Sequence, residues 1–123
     1  MLTGTEYESG NFGIFSNSAQ NQNVPCAVCY AKTRSSVIMI PGKRSCPDNE
    51  WTFEYEGYLM SAQSNLNWRA TFECVDANPE YMEGEGANNK GALFYFNRAS
   101  CDRAVPCPPY KPKKAITCVV CTK

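Results

Sequence analysis

Eight cysteines in 123 residues constrain this chain more than anything else in it. They are Cys26, Cys29, Cys46, Cys74, Cys101, Cys107, Cys118 and Cys121. An even number in a short, aromatic-rich chain reads as an oxidised, extracellular disulfide framework. Eight cysteines allow roughly a hundred pairings, so the count gives no connectivity. The rival reading is a zinc site built from Cys26-x-x-Cys29 and Cys118-x-x-Cys121, since two such knuckles supply four thiolates. These knuckles lie farther apart than those of a zinc ribbon, and four further cysteines would be left over. Disulfides are the preferred reading. Neither motif sits between a strand and a helix in a βαβ pattern, so a thioredoxin-like role has no support.

The length is that of one domain with one real core. Twelve Lys plus Arg balance twelve Asp plus Glu. A nucleic-acid binder needs a basic face against phosphates, so no nucleic-acid partner is expected. No apolar run approaches the ~20 residues of a bilayer span, so no membrane span is expected. The sequence has no histidine. That removes the usual general base, the Ser-His and Cys-His nucleophile pairs, and imidazole ligands for zinc. Glu54, Glu56, Asp76, Glu80, Glu83 and Glu85 could pair as glycosidase carboxylates. The first two read instead as the wet face of a strand, and the others as a solvated loop. The acidic stretch Glu80 to Glu85 lacks EF-hand spacing. The expectation is a non-enzyme with no metal and no cofactor.

Helical periodicity is nearly absent, and the pattern predicts a mainly β fold with little helix. Residues 1–23 are polar, and Gln20-Asn21-Gln22-Asn23 reads as a loop. Ser36 to Ile40 is a β-branched apolar run closed by Pro41-Gly42, and predicts a buried strand. Trp51 to Met60 alternates, with Trp51, Phe53 and Tyr55 facing inward and Thr52, Glu54 and Glu56 outward. Gly57 marks a bulge or a close approach within that strand. Trp68 to Val75 alternates again and turns Cys74 inward. Asp76 to Lys90 is the longest loop candidate. Gly91 to Phe96 reads as a strand buried on both faces, so Phe94 and Phe96 join Trp51, Phe53 and Tyr55 as expected core. Four prolines between residues 102 and 114 make that stretch extended or turn-like, and Ala115 to Lys123 is a final strand.

The chain echoes itself. Val24-Pro25-Cys26-Ala27-Val28-Cys29 is matched by Ala115-Ile116-Thr117-Cys118-Val119-Val120-Cys121, each an apolar residue, a spacer, then Cys-x-Val-Cys. Two halves that close with the same element would leave this mark.

The order of marks from Cys46 onward is specific: Cys46-Pro47, Trp51, Gly57-Tyr58, Cys74, Phe94-Tyr95-Phe96, Cys101, Cys107 and the closing Cys118-Val119-Val120-Cys121. This resembles the non-collagenous C-terminal domain of invertebrate short-chain collagens, and more distantly half of the type IV collagen domain. Pro25-Cys26-Ala27-Val28-Cys29, Met39-Ile40-Pro41, Gly57-Tyr58-Leu59-Met60, Phe72-Glu73-Cys74-Val75-Asp76 and Cys107-Pro108-Pro109-Tyr110 also carry the likeness. It covers about residues 24–123, and extends to residues 2–9 as well. The family's domains have two homologous halves, each ending in Cys-x-x-Cys. Residues 1–30 then correspond to the tail end of a first half, partly loop, and residues 31–123 to a complete second half, in one compact unit. The front of the first half and the Gly-x-y tract of a collagen are missing from this sequence.

By position, the resemblance implies that Cys46 pairs with Cys121, Cys74 with Cys118, and Cys101 with Cys107. Cys26 and Cys29 are then left over, to bridge each other, to cross to another chain, or to remain thiols. The resemblance also implies a type IV collagen-like fold, often grouped with C-type-lectin-like folds, in an extracellular protein. The sequence opens Met1-Leu2-Thr3-Gly4-Thr5, without the basic start and apolar stretch of a secretory signal, so a trimmed form or a fragment is expected.

Two functions compete. The first is a secreted structural domain of extracellular-matrix type that forms homo-oligomers, with matrix proteins as further partners. The second is a multivalent lectin. Trp68 lies among Asn65, Asn67 and Arg69, where an indole face could stack on a sugar while amides take its hydroxyls. Asn88 and Asn89 are similar amide candidates in the long loop. Lys111, Lys113 and Lys114 form a small basic patch that could meet sulfated glycans.

Overall fold

A computed structural model describes residues 4–10, 12–62, 71–82, 92–102 and 105–123. Strands dominate it: β1 (Thr5–Tyr7), β2 (Val37–Pro41), β3 (Thr52–Ser61), β4 (Glu73–Asp76), β5 (Ala92–Phe96) and β6 (Thr117–Thr122). The one helical element among the described residues is a 3-10 turn at Asn17–Ala19. The fold is therefore mainly β, with almost no helix and three disulfides.

The strands form one sheet in the order β1-β5-β3-β6-β2, with β4 on the other side of β3. β1 runs parallel to β5, and every other pairing is antiparallel. The ten-residue β3 is the organising strand. Thr52 to Tyr58 pair with β6, and Met60 and Ser61 pair with β5. At the change of partner, three backbones close a ring. Leu59 N–H donates to Ile116 O at 2.9 Å, Ile116 N–H to Asn97 O at 2.8 Å, and Asn97 N–H to Leu59 O at 2.9 Å. The junction leaves none of these six polar groups unpaired in the interior.

β6 is buried on both faces: Cys118, Val119 and Cys121 have no solvent exposure. Cys118 and Cys121 are three residues apart on a strand, so their side chains leave opposite faces. One bridges to Cys74 on β4 and the other to Cys46 before β3. The third bond joins Cys101 to Cys107 within the proline-rich stretch. The three pairs coincide with those implied by the collagen-domain resemblance.

Several local expectations differ from the structure. The 36–40 run is an edge strand rather than a buried one, with Val37 64% exposed. Composition could not separate the two, because the missing neighbour is a tertiary fact. Phe53 is 51% exposed rather than core. A register shift between Phe53 and Tyr55 sets these residues opposite Cys121 and Val120, whose side chains leave opposite faces of β6. The period-two reading fails at that bulge. β4 begins only at Glu73, and Phe72 before it is exposed. β5 is half-buried along most of its length, and only Phe96 is buried outright.

The largest departure is the polar N-terminal stretch, which supplies much of the core. Tyr7, Phe15 and Ala19 are buried with Met60 and Phe96. Phe15 is the hub: its ring lies 4.8 Å from Phe96, 5.8 Å from Tyr7 and 6.1 Å from Tyr58, centroid to centroid. Its contacts with Tyr7 and Tyr58 are edge-to-face, the geometry ring quadrupoles favour. The polar residues around it satisfy one another. Gln20 Oε1 accepts from Gly10 N–H and from Ser9 Oγ, and Gln20 Nε2 donates to Glu8 Oε1 and Asn21 Oδ1. All four hydrogen-bonding positions of that amide are used, which ties residues 8–10 to 20–21.

Candidate functional site

The outer edge of β2 is an exposed surface without a paired strand among the described residues. Ser36 and Lys123 exchange both backbone hydrogen bonds, each 3.0 Å, which fixes the ladder's phase. Alternation makes 38:121 and 40:119 the next bonded pairs, and Gly42 N–H reaches Thr117 O at 2.7 Å in the same phase. The N–H and C=O of Val37 and Met39, and the C=O of Pro41, therefore point away from β6. No described strand pairs with that side. The five residues Val37–Pro41 carry no charge. Pro41 occupies an outward position, where its missing N–H breaks no bond to β6. Gly42 follows with φ +76°, a turn conformation natural to glycine, and its backbone abuts Tyr110.

Leading into β2 is an arm, residues 25–35, without regular structure. Cys26 and Cys29 are exposed free thiols on it, Val28 is fully exposed and Tyr30 is 85% exposed. The far end of the arm is anchored. Arg34 lies 3.1 Å from Glu54, the residue inserted at the β3 bulge, and Thr122 Oγ1 also donates to Glu54. Two features mark this edge in sequence: a proline closing an apolar run, and Lys32, Arg34, Lys43 and Arg44 flanking it. Both are devices that blunt exposed strands.

A second surface is an open cleft of about 780 Å³ bordered by Phe12, Phe72, Asn97, Arg98, Asp102 and Lys113. Arg98 stacks on Phe12 at 4.9 Å, so that ring is already engaged by a cation. Ser61 Oγ lies within hydrogen-bond distance of both Ala62 O and Asn97 Oδ1, while Asn97 Nδ2 has no partner. One hydroxyl proton cannot serve both acceptors. With the Asn97 amide turned, Nδ2 donates to Ser61 Oγ and Ser61 Oγ donates to Ala62 O, and the buried position without a partner is then held by Oδ1.

The sugar-contact residues expected from sequence, Asn65, Asn67, Trp68, Asn88 and Asn89, lie outside the described residues, as do Glu83 and Glu85. Ala62 and Phe72, which flank the first group in sequence, both line the cleft. Three of the remaining four carboxylates have structural partners, and Glu80 contributes only its backbone carbonyl, to Tyr7. Glu54 pairs with Arg34, Glu56 lies 3.6 Å from Arg44, and Asp76 accepts from Asn78 N–H at 2.8 Å. No group of three metal-ligating side chains occurs among the described residues. The zinc alternative fails because Cys118 and Cys121 are committed to disulfides. Lys113 lines the large cleft, and Lys111 and Lys114 line a smaller one of about 190 Å³ beside Tyr110. No helix of the described residues is long and apolar enough to cross a membrane.

Two tyrosines have shifted phenols. Burial pushes Tyr7 up to about 12, helped by the negative charges of Cys26, Asp76 and Glu80, and its hydroxyl donates to Glu80 O at 3.0 Å. Burial also raises Tyr55, with Asp76, Glu73 and Cys29 adding, and its hydroxyl donates to Cys74 O at 2.9 Å. Both act as neutral donors holding backbone.

No family model matches this chain, and no solved structure matches it.

Proposed function

We propose that this chain is a secreted structural module that works by self-association, of the kind found at the non-collagenous ends of short-chain collagens. The observation that carries it is the uncharged edge of β2, unpaired among the described residues. An apolar edge strand with outward N–H and C=O groups is a template for another strand, and a second copy supplies an identical one. Two β2 strands placed antiparallel about Met39 exchange both bonds at 39:39, and Val37 N–H of each copy reaches Pro41 O of the other. The three disulfides fit an oxidising compartment, where such bonds persist. Sedimentation velocity on protein with alkylated thiols tests the reading. Self-association is expected, and the double substitution Val37→Lys with Met39→Lys should weaken it at least tenfold. A wild-type protein that stays monomeric at high concentration would sink the proposal.

The cleft between Phe12 and Phe72 supports a second reading, recognition of glycans. The exposed Phe72 ring beside Asp102 and Lys113 suits a polyhydroxylated ligand, whereas Phe12 is taken up by Arg98. A glycan-array screen of the oxidised protein, with a reduced sample as control, decides it. Selective binding lost on reduction would favour a lectin, and absence of binding would leave self-association alone.

A further inference from the structure

All eight cysteines are accounted for: six are bridged, and Cys26 and Cys29 are not. The pair does not bridge itself in this conformation. No turn or bend interrupts residues 24–31. Three residues of extended chain span about 10 Å between Cα atoms, and a disulfide tolerates about 7 Å at most. Among the described residues no third ligand completes a metal site around them.

We infer that Cys29 is a covalent link between two copies of this chain, formed by antiparallel pairing of residues 26–32 of each arm. The inference rests on the self-association reading but uses a different surface, so the two can fail separately. Residues 26–31 carry no charge, and Lys32 at the end of the paired segment faces the partner copy's Cys26, so like charges do not face each other. A twofold axis through an antiparallel ladder makes one residue face its own copy, so facing residue numbers must sum to an even value. Cys26 opposite Cys29 is thereby excluded, and two registers bring cysteine to cysteine.

The register centred on Cys26 would lay the partner's arm over Gln22 and Asn23. Those backbones are already committed: Gln22 O accepts from Tyr7 N–H, and Asn23 bridges Glu6 and Met82. The register centred on Cys29 uses only residues 26–32 and sets Val28 against the partner's Tyr30. Pro25 has the same parity as Cys29. If Cys29 occupies a non-hydrogen-bonded site, Pro25 does too, and its missing N–H costs nothing. Cα atoms at such a pair lie about 4.5 Å apart, within disulfide range. Seven residues a side are far fewer than the ~20–30 of a standard interface, so the covalent bond holds the dimer.

The chemistry needs one oxidant, a low-molecular-weight disulfide R–S–S–R. The Cys29 thiolate of one copy attacks it and expels one thiolate, giving a mixed disulfide. The Cys29 thiolate of the second copy attacks the protein sulfur of that bond and expels the other. Two protein thiols and one R–S–S–R become one interchain disulfide and two R–SH.

The full chain, with its three internal bridges intact, is equilibrated with oxidised and reduced glutathione and run on a non-reducing gel. The expected result is a species at twice the 13.7 kDa chain mass. Cys26→Ser should keep it, Cys29→Ser should abolish it, and peptide mapping should recover a Cys29–Cys29 link. A link that survives Cys29→Ser, a Cys26–Cys29 bridge within one chain, or only glutathionylated monomer would each overturn the inference. If Cys29→Ser still associates reversibly in the centrifuge, the β2 reading stands without the covalent one.

Discussion

Gly57 lies against the backbone of Val75 so closely that a Cβ built on it would sit 1.7 Å from Val75 O and 2.6 Å from Val75 C. The contact is between backbones of neighbouring strands, in the register that pairs Gly57 with Asp76 and Tyr58 with Val75. No flexible side chain can yield, so Gly57→Ala must push β4 off β3. β4 carries Cys74, bridged to Cys118. The expected loss is about 3 kcal/mol or more, at the upper end for overpacking. A urea midpoint within ~0.5 kcal/mol of wild type would show that β4 is not held there.

The three disulfides should rank by the loops they close. Sequence separations are 75 for Cys46–Cys121, 44 for Cys74–Cys118 and 6 for Cys101–Cys107. Chain-entropy estimates give about 4.5, 4 and 2 kcal/mol respectively. Cys101→Ala with Cys107→Ala should leave a folded protein with a lowered melting temperature. Cys46→Ala with Cys121→Ala should leave little folded protein at 37 °C. Thermal melts of the two pairs, read by near-ultraviolet circular dichroism, check the order.

Phe15→Ala should cost about 3 to 5 kcal/mol, the range for a buried aromatic ring. Phe15 is 7% exposed and touches the rings of Tyr7, Tyr58 and Phe96. Phe12, half exposed in the same segment, is the control and should cost less than ~1.5 kcal/mol as alanine. Equal costs in denaturant titrations would mean that residues 8–19 do not pack as described.

Alkaline stability should report Tyr7. Below pH 10 the phenol is neutral in folded and unfolded chains, and its titration costs nothing. Between pH 10 and about 12 the unfolded chain releases the proton while the folded one holds it. Stability therefore falls by up to about 1.4 kcal/mol per pH unit in that window. Tyr7→Phe should flatten the slope, at the cost of the hydrogen bond to Glu80 O. An unchanged slope of stability against pH in the variant would place the titrating group elsewhere, with Tyr55 next to examine.

Strand content was legible for the two longest strands. The alternation after Trp51 and the closing Cys-x-Val-Cys mark β3 and β6, the two strands that hold most of the sheet. The failures share a cause. β2 and β6 are both β-branched apolar runs, yet one is an edge and the other is buried on both faces. Period and composition describe a strand but not how many neighbours it has. The edge that carries the proposed function was marked in sequence only by Pro41 and the flanking basic residues, not by the period or composition of the strand itself.

By itself the sequence determined an all-β, cysteine-braced chain, because side-chain alternation, Gly/Pro punctuation and absent helical period are local properties. Only the tertiary structure decided what the polar N-terminal stretch does. Burying Phe15 depends on Tyr58 and Phe96, more than forty residues away in the chain. It also depends on the Gln20 amide finding four partners at once. The same holds for the Cys-x-Val-Cys echo. Both copies have the same chemistry, but only the one at 118–121 has a strand on each side and a cysteine facing each thiol. Neighbours, not residue types, make one pair structural and leave the other exposed and unbonded.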